Sequence, residues 1–190
     1  MPLPFTSEWR TERDRQRRAR SVVVALRREP DEADVAWLAD AAADGDTDHA
    51  RWELRYARAA LGLLVAQRDA LDDRTAAEIS AALLAAQAED PGVALDRREL
   101  AEMQFNERLT AYREAMQLRG GTVSASDRVG RCLLAFASDG ARTAGTPLAY
   151  AIELLERYAA EAGEVLRETY GEARLPEDVK PSVLRPGGRP

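Results

Sequence analysis

From Thr47 to about Leu71 the chain carries apolar residues on more than one side of a helix, and a helix of that kind has to be enclosed by other elements. Trp52, Tyr56, Ala59, Leu63, Ala66 and Ala70 recur at helical spacing, and Leu54, Leu61, Leu64 and Val65 form a second strip. The surrounding segments are rich in Ala, Leu, Arg and Glu, which favour helix, and none has the Val/Ile/Thr alternation of a strand. The expected fold is all-α: a multi-helix bundle of about six or seven helices.

Helix boundaries follow from caps and breakers. The first helix is expected to start at Thr6 or Ser7, either able to cap its free amides, and to stop before Pro30. Its Trp9 to Arg20 half is almost wholly polar, whereas Val22, Val23, Val24 and Leu26 can dock on a core. A second helix, capped by Asp31, carries Val35, Trp37 and Leu38 and ends at Asp44-Gly45, where Gly can turn left-handed. After the enclosed third helix, Asp72 to Thr75 opens a fourth that runs to about Glu89 with Ile79, Leu83 and Ala86 inward. The short connection makes the third and fourth helices a central antiparallel hairpin. Asp96 with Glu99 reads as a capping box for a fifth helix reaching Arg119, its buried stripe Phe105, Leu109, Tyr112 and Met116.

A sixth helix spans Ser126 to about Ser138 with Val129, Cys132, Leu133 and Phe136. The seventh starts at Thr146 with Pro147 in its first position and stops at Gly171. Its Leu148, Ile152, Leu155, Ala159, Ala162 and Leu166 make a seam like a coiled-coil face, which in one domain is more often core. Residues 1–174 are thus expected to be a single helical domain with an N-terminal helical arm at 6–29. Recurrent Pro makes 175–190 an extended tail.

Composition narrows the function classes. With 45% hydrophobic and 32% charged residues the chain can bury a core, which excludes bulk disorder. No apolar run is long enough for a membrane span and Met1 to Thr6 is not a secretory signal, so the expected location is cytoplasmic. A single cysteine, Cys132, precludes an internal disulfide or a thiolate cluster, and beside Leu133 it reads as core. Net charge −6 and pI near 5.0 argue against nucleic acid. Lys180 is the only lysine among 27 basic residues, a bias of composition, since the arginines lie among acidic neighbours.

Few residues form a chemical constellation. His49 and Glu53, one helical turn apart, with Asp46 nearby, are the candidate metal ligands. Against them, paired Glu-x-x-His sites need two histidines and this chain has one. The first helix offers an interaction surface in Trp9, Arg13, Arg17 and Arg18, interleaved with Glu8, Glu12 and Asp14. Gln104, Phe105, Asn106, Tyr112 and Arg113 are candidates to line a pocket between helices. Ser124, Ser126 and Asp127 read as helix capping, and neither Gly120-Gly121 nor Gly140 to Gly145 ends as a phosphate loop does. No catalytic residue or cofactor is assigned.

The function expected on these grounds is a non-catalytic protein–protein association module, a homo-oligomer or the partner of another helical protein. The alternatives are a bundle binding a small ligand or a metal, and, less favoured, a nucleic-acid-associated regulator using the arginine-rich arm.

Overall fold

A computed structural model describes residues 6–70, 72–118, 122–138 and 146–171. The helices are α1 (Ser7–Leu26), α2 (Glu32–Ala41), α3 (Thr47–Asp69), α4 (Asp73–Ala88), α5 (Arg98–Gln117), α6 (Ala125–Ala137) and α7 (Thr146–Tyr170). A 3-10 turn, Leu95–Arg97, precedes α5, and there is no strand among the described residues. The expected tail at 175–190 and the Gly140 to Gly145 stretch lie outside the described residues. No helix among them is long and apolar enough to cross a membrane.

Side-chain caps explain most of the starts. Thr6, Asp46, Asp72 and Ser124 accept from the amides of Trp9, His49, Thr75 and Asp127 at 3.2, 2.9, 2.6 and 3.0 Å. Each satisfies an amide that has no partner inside its helix, an effect of about 1 kcal/mol. Two expected caps differ. The Asp31 side chain caps nothing, and its backbone carbonyl takes the amides of Asp34 and Val35 instead. Asp96 is drawn into the 3-10 turn closed by the Arg97 amide on the Ala94 carbonyl at 2.9 Å, so no capping box forms and α5 starts at Arg98. After α2 both Asp44 and Gly45 are left-handed, at φ 49° and 87°, and the Gly45 amide reaches back to the Ala39 carbonyl.

Every residue of α3 from Tyr56 to Ala66 is buried, and α2, α4, α5, α6 and α7 all pack on it, with a smaller contact from α1. The centre is therefore α3 itself. Its largest interface is with α7, while α4 packs chiefly on α1 and less on α3, so the third and fourth helices are not a central pair. The docking half of α1 buries Ala19, Val22, Val23 and Leu26 as its pattern implies, but Val24 points outward. The α7 seam is spent inside the molecule: Leu148, Leu155, Ala162 and Leu166 are buried and Ile152 and Ala159 partly so, against α3, α6 and α1. On α5, Phe105, Leu109 and Tyr112 are buried, whereas Met116, expected with them, is 37% exposed near the helix end.

Close approach of α1 and α3 depends on Gly62. A Cβ built there would lie 2.4 and 2.9 Å from the two methyls of Leu26 and 3.0 Å from its Cγ, so the whole buried side chain would have to move. Helix propensity favours Ala over Gly by about 1 kcal/mol, and overpacking costs about 1–3 kcal/mol, so the clash wins. Gly62→Ala is expected to lower stability in urea unfolding by up to about 2 kcal/mol, and to raise it when Leu26 is already Ala. Destabilisation of equal size in both backgrounds would show that Leu26 is not what Gly62 accommodates.

Candidate functional site

The three residues expected to share a metal are directed elsewhere. The Asp46 carboxylate caps α3. His49 Nε2 lies 3.1 Å from the Phe136 carbonyl oxygen at the end of α6, a bond the ring makes when Nε2 carries the proton. Glu53 is 2% exposed, and both its oxygens meet Arg108 of α5, Oε1 to Nη2 at 2.7 Å and Oε2 to Nε at 3.2 Å. Arg108 also pairs with Glu107 and lies over the Phe136 ring, 4.4 Å from its centroid. Burial works against the charge on Arg108, but the Glu53 hydrogen bond and charge outweigh it and raise its pKa. Among the described residues, no three of His, Cys, Asp and Glu are grouped so as to hold a metal ion.

Other polar clusters tie helices together. Asp34 of α2, nearly fully buried, accepts from the Tyr150 hydroxyl at 2.9 Å and from Arg157 at 2.5 Å, and Trp37 packs on the Tyr150 ring. Arg58 of α3 pairs with Glu161 of α7 and lies over Tyr158. Burial raises the pKa of the Cys132 thiol, the reverse of what activates a nucleophile. On α1, Arg13 stacks 4.8 Å from the Trp9 ring centroid, Arg17 pairs with Asp14 at 3.1 Å, and Arg18 points to solvent.

The pocket expected around Phe105 and Tyr112 is filled: both rings are buried, and Gln104 accepts from the Tyr56 hydroxyl at 3.3 Å. A cleft of about 490 Å³ opens instead where the end of α4 and the start of α5 diverge over α3. Trp52, Arg55 and Tyr56 of α3 form one wall, Leu84 and Gln87 of α4 another, and Arg98 and Glu102 of α5 a third, with Arg27 and Arg28 after α1 at one end. The Trp52 and Tyr56 rings are 5.7 Å apart between centroids, and the Arg55 guanidinium lies 4.5 Å from the Trp52 ring.

Asp90, in the turn after α4, organises this end of the cleft. Its Oδ2 meets Arg27 at 2.5 Å and Arg55 at 3.4 Å, its Oδ1 accepts from the Gly92 amide at 2.8 Å, and Arg55 also reaches Glu29 at 3.1 Å. Two polar atoms of the lining remain without a partner: Gln87 Oε1 and Arg98 Nε, both shielded from solvent. Among the described residues, neither Arg28 nor Arg98 has a carboxylate partner. A larger groove between α1 and α4, about 950 Å³, is lined by alanines, valines, carboxylates and the arginines Arg20, Arg27 and Arg55, with no aromatic wall.

Comparison of the chain with protein-family models, with curated proteins and with solved structures gives no significant match.

The Glu53–Arg108 pair is strongly sensitive to loss of one partner, because the other charge is then left buried alone. Glu53→Ala is expected to cost about 3–5 kcal/mol in denaturant unfolding, and the double variant Glu53→Leu/Arg108→Leu to recover most of that. A thermal midpoint lowered by a chelator would instead return Glu53 to the role of metal ligand.

Proposed function

We propose that the protein is a small-molecule-binding helical module whose site is the cleft between α3, α4 and α5, working by binding rather than by bond-making chemistry. The observation that carries this reading is the coincidence, in one concavity, of an aromatic wall, Trp52 and Tyr56, with two guanidinium groups, Arg28 and Arg98, that have no carboxylate partner among the described residues. Ligand sites are typically concave, about 300–1,000 Å³, mostly apolar, and furnished with a few convergent polar groups. The lining contains no His, Cys, Ser or Thr, and its one buried carboxylate, Asp90, is already committed to two guanidinium groups. Nothing in it pairs a nucleophile with a base.

Ala88, exposed at the end of α4 and part of the lining, allows the cleft to be plugged without touching the core. In a thermal-shift screen of small organic molecules, compounds that stabilise the natural protein are expected to lose at least about tenfold in affinity for Ala88→Trp, with the ligand-free midpoint unchanged. A screen without stabilising compounds, or one whose compounds serve both proteins equally, would remove the cleft as the site.

Self-association is the second reading, favoured by a separate observation. Leu95, Leu100 and Met103 at the start of α5 are 78%, 46% and 60% exposed, and Leu84 across the cleft is 44% exposed. Neighbouring apolar side chains in water mark an association face more often than isolated ones do. A second copy fits it through a two-fold arrangement, in which one face meets itself. Sedimentation velocity across a concentration series is expected to show a dimer that Leu95→Glu/Met103→Glu converts to monomer; a natural protein monomeric throughout would exclude it.

A further inference from the structure

We infer that the outer faces of α1 and α7 form a charged docking surface for a second copy of this chain, with α1 of each copy laid against α7 of the other. This surface is separate from the cleft and from the apolar strip of α5. Along the sequence α1 mixes arginines with acids, but folding sorts them. Glu12 turns to α4 and pairs with Arg74, Asp14 is taken up by Arg17, and Glu8 stays in the first turn. Arg10, Arg13, Arg17 and Arg20 recur at steps of three and four and are all exposed, so they form one row on the side away from the core. Among the described residues Arg10, Arg13 and Arg20 have no carboxylate partner, and Arg13 lies over the Trp9 ring. Val24, 73% exposed, continues the row.

The outer face of α7 carries the opposite charge at similar spacing. Glu153, Glu156, Glu164 and Glu168 are exposed, with exposed Ala160 midway. Only Glu156 has a hydrogen-bond partner among the described residues, the Ser126 hydroxyl at 2.8 Å. Of the two arginines on this helix, Arg157 is spent on Asp34, and Arg167 Nη1 folds back to 3.7 Å from where a Cβ on Gly163 would stand. The helices pack on each other and share a pocket lined by Arg28 and Glu164, so each copy presents a basic and an acidic row on neighbouring helices. A two-fold axis then sets basic on acidic twice in one contact, because in such an interface each patch meets its counterpart in both directions.

Size and charge fit a weak, salt-sensitive dimer. Helices of 20 and 25 residues are about 30 and 38 Å long, and at about 10 Å of width each they offer about 600 Å² per copy, near the lower limit of specific interfaces. Exposed ion pairs are individually weak, so the contact depends on their repetition. A nucleic acid or an anionic membrane would meet the same arginines but also the neighbouring acidic row and a net charge of −6, which a second copy uses and a polyanion does not.

Sedimentation velocity of the full chain at about 50 mM NaCl is expected to show a dimer whose affinity falls at least about tenfold at about 500 mM, where the charges are screened and only the α5 strip is left to associate. Arg13→Glu/Arg20→Glu sets acid against acid, and Glu164→Arg/Glu168→Arg sets base against base, so each variant alone should lose the salt-sensitive dimer. An equimolar mixture of the two should regain it as a heterodimer, although both variants stay net acidic from a starting charge of −6. Unchanged thermal midpoints confirm that both fold. A natural protein monomeric at low salt, a dimer indifferent to both reversals, or a mixture that forms no heterodimer overturns the inference. Loss of the dimer on reversing α1 but not α7 also overturns it, since the arginine row then answers some acid other than α7.

Discussion

Enclosure of α3 sets the terms for everything around it. From Tyr56 to Ala66 no residue of that helix reaches solvent freely, yet the buried part includes Arg58, and Glu53 one turn earlier is equally withdrawn. A charge in such a place has to be met by an opposite charge from a neighbouring helix, because the desolvation penalty is several kcal/mol when it is not. Arg108 from α5 meets Glu53, and Glu161 from α7 meets Arg58. The first pair is buried on both sides, whereas Glu161 keeps 41% of its side chain exposed, so only the Glu53–Arg108 pair carries the full desolvation penalty. Elsewhere on the helix a missing side chain serves packing: Gly62 lets Leu26 of α1 come close.

The cleft follows from where that enclosure ends. Toward its start α3 keeps Trp52 and Arg55 only half-buried, because the end of α4 and the start of α5 do not close over them. The chain between those helices passes through the Asp90 turn and the 3-10 turn, and both are anchored locally, by the Asp90 carboxylate on the Gly92 amide and by the Arg97 amide on Ala94. Asp90 then draws in Arg27 and Arg55 from two other helices' worth of sequence. Asp90 spends its carboxylate on those two, and Arg98 forms no ion pair among the described residues although Glu99 and Glu102 share the lining.

The parts legible in the sequence are those determined within a few residues. Caps at Thr6, Asp46, Asp72 and Ser124, the left-handed stop at Gly45 and the helical periodicities are all local, and they lead to the observed all-α architecture. Where two local solutions compete, the reading fails: Asp96 has the spacing of a capping box, but a 3-10 turn over Leu95–Arg97 claims it first. Met116 continues an apolar stripe that the core does not extend far enough to cover. The main partner of α4 is α1, with α3 second, since a short connection constrains the ends of two helices and says little about which faces pack. Glu53 was visible as an acid beside His49, but its actual partner, Arg108, is remote in sequence. The cleft was hidden for the same reason: Arg28, Trp52, Gln87 and Arg98 come from separate stretches, and each alone reads as a solvated or core residue.

One element carries both functional readings, and that links them physically. The first turns of α5 supply Arg98 to the cleft and Leu100 and Met103 to the exposed apolar strip, with Leu95 just ahead. A second copy seated on Leu95 and Met103 would in turn restrict the mouth of the cleft between Leu84 and Glu102. If each event changes the state the other binds, the two are coupled, and each then alters the affinity of the other by the same factor. The sign depends on geometry: a ligand protruding past Leu84 opposes association. The apolar strip and the unpaired arginine are therefore best understood as two faces of a single segment that the core of the molecule leaves incompletely covered.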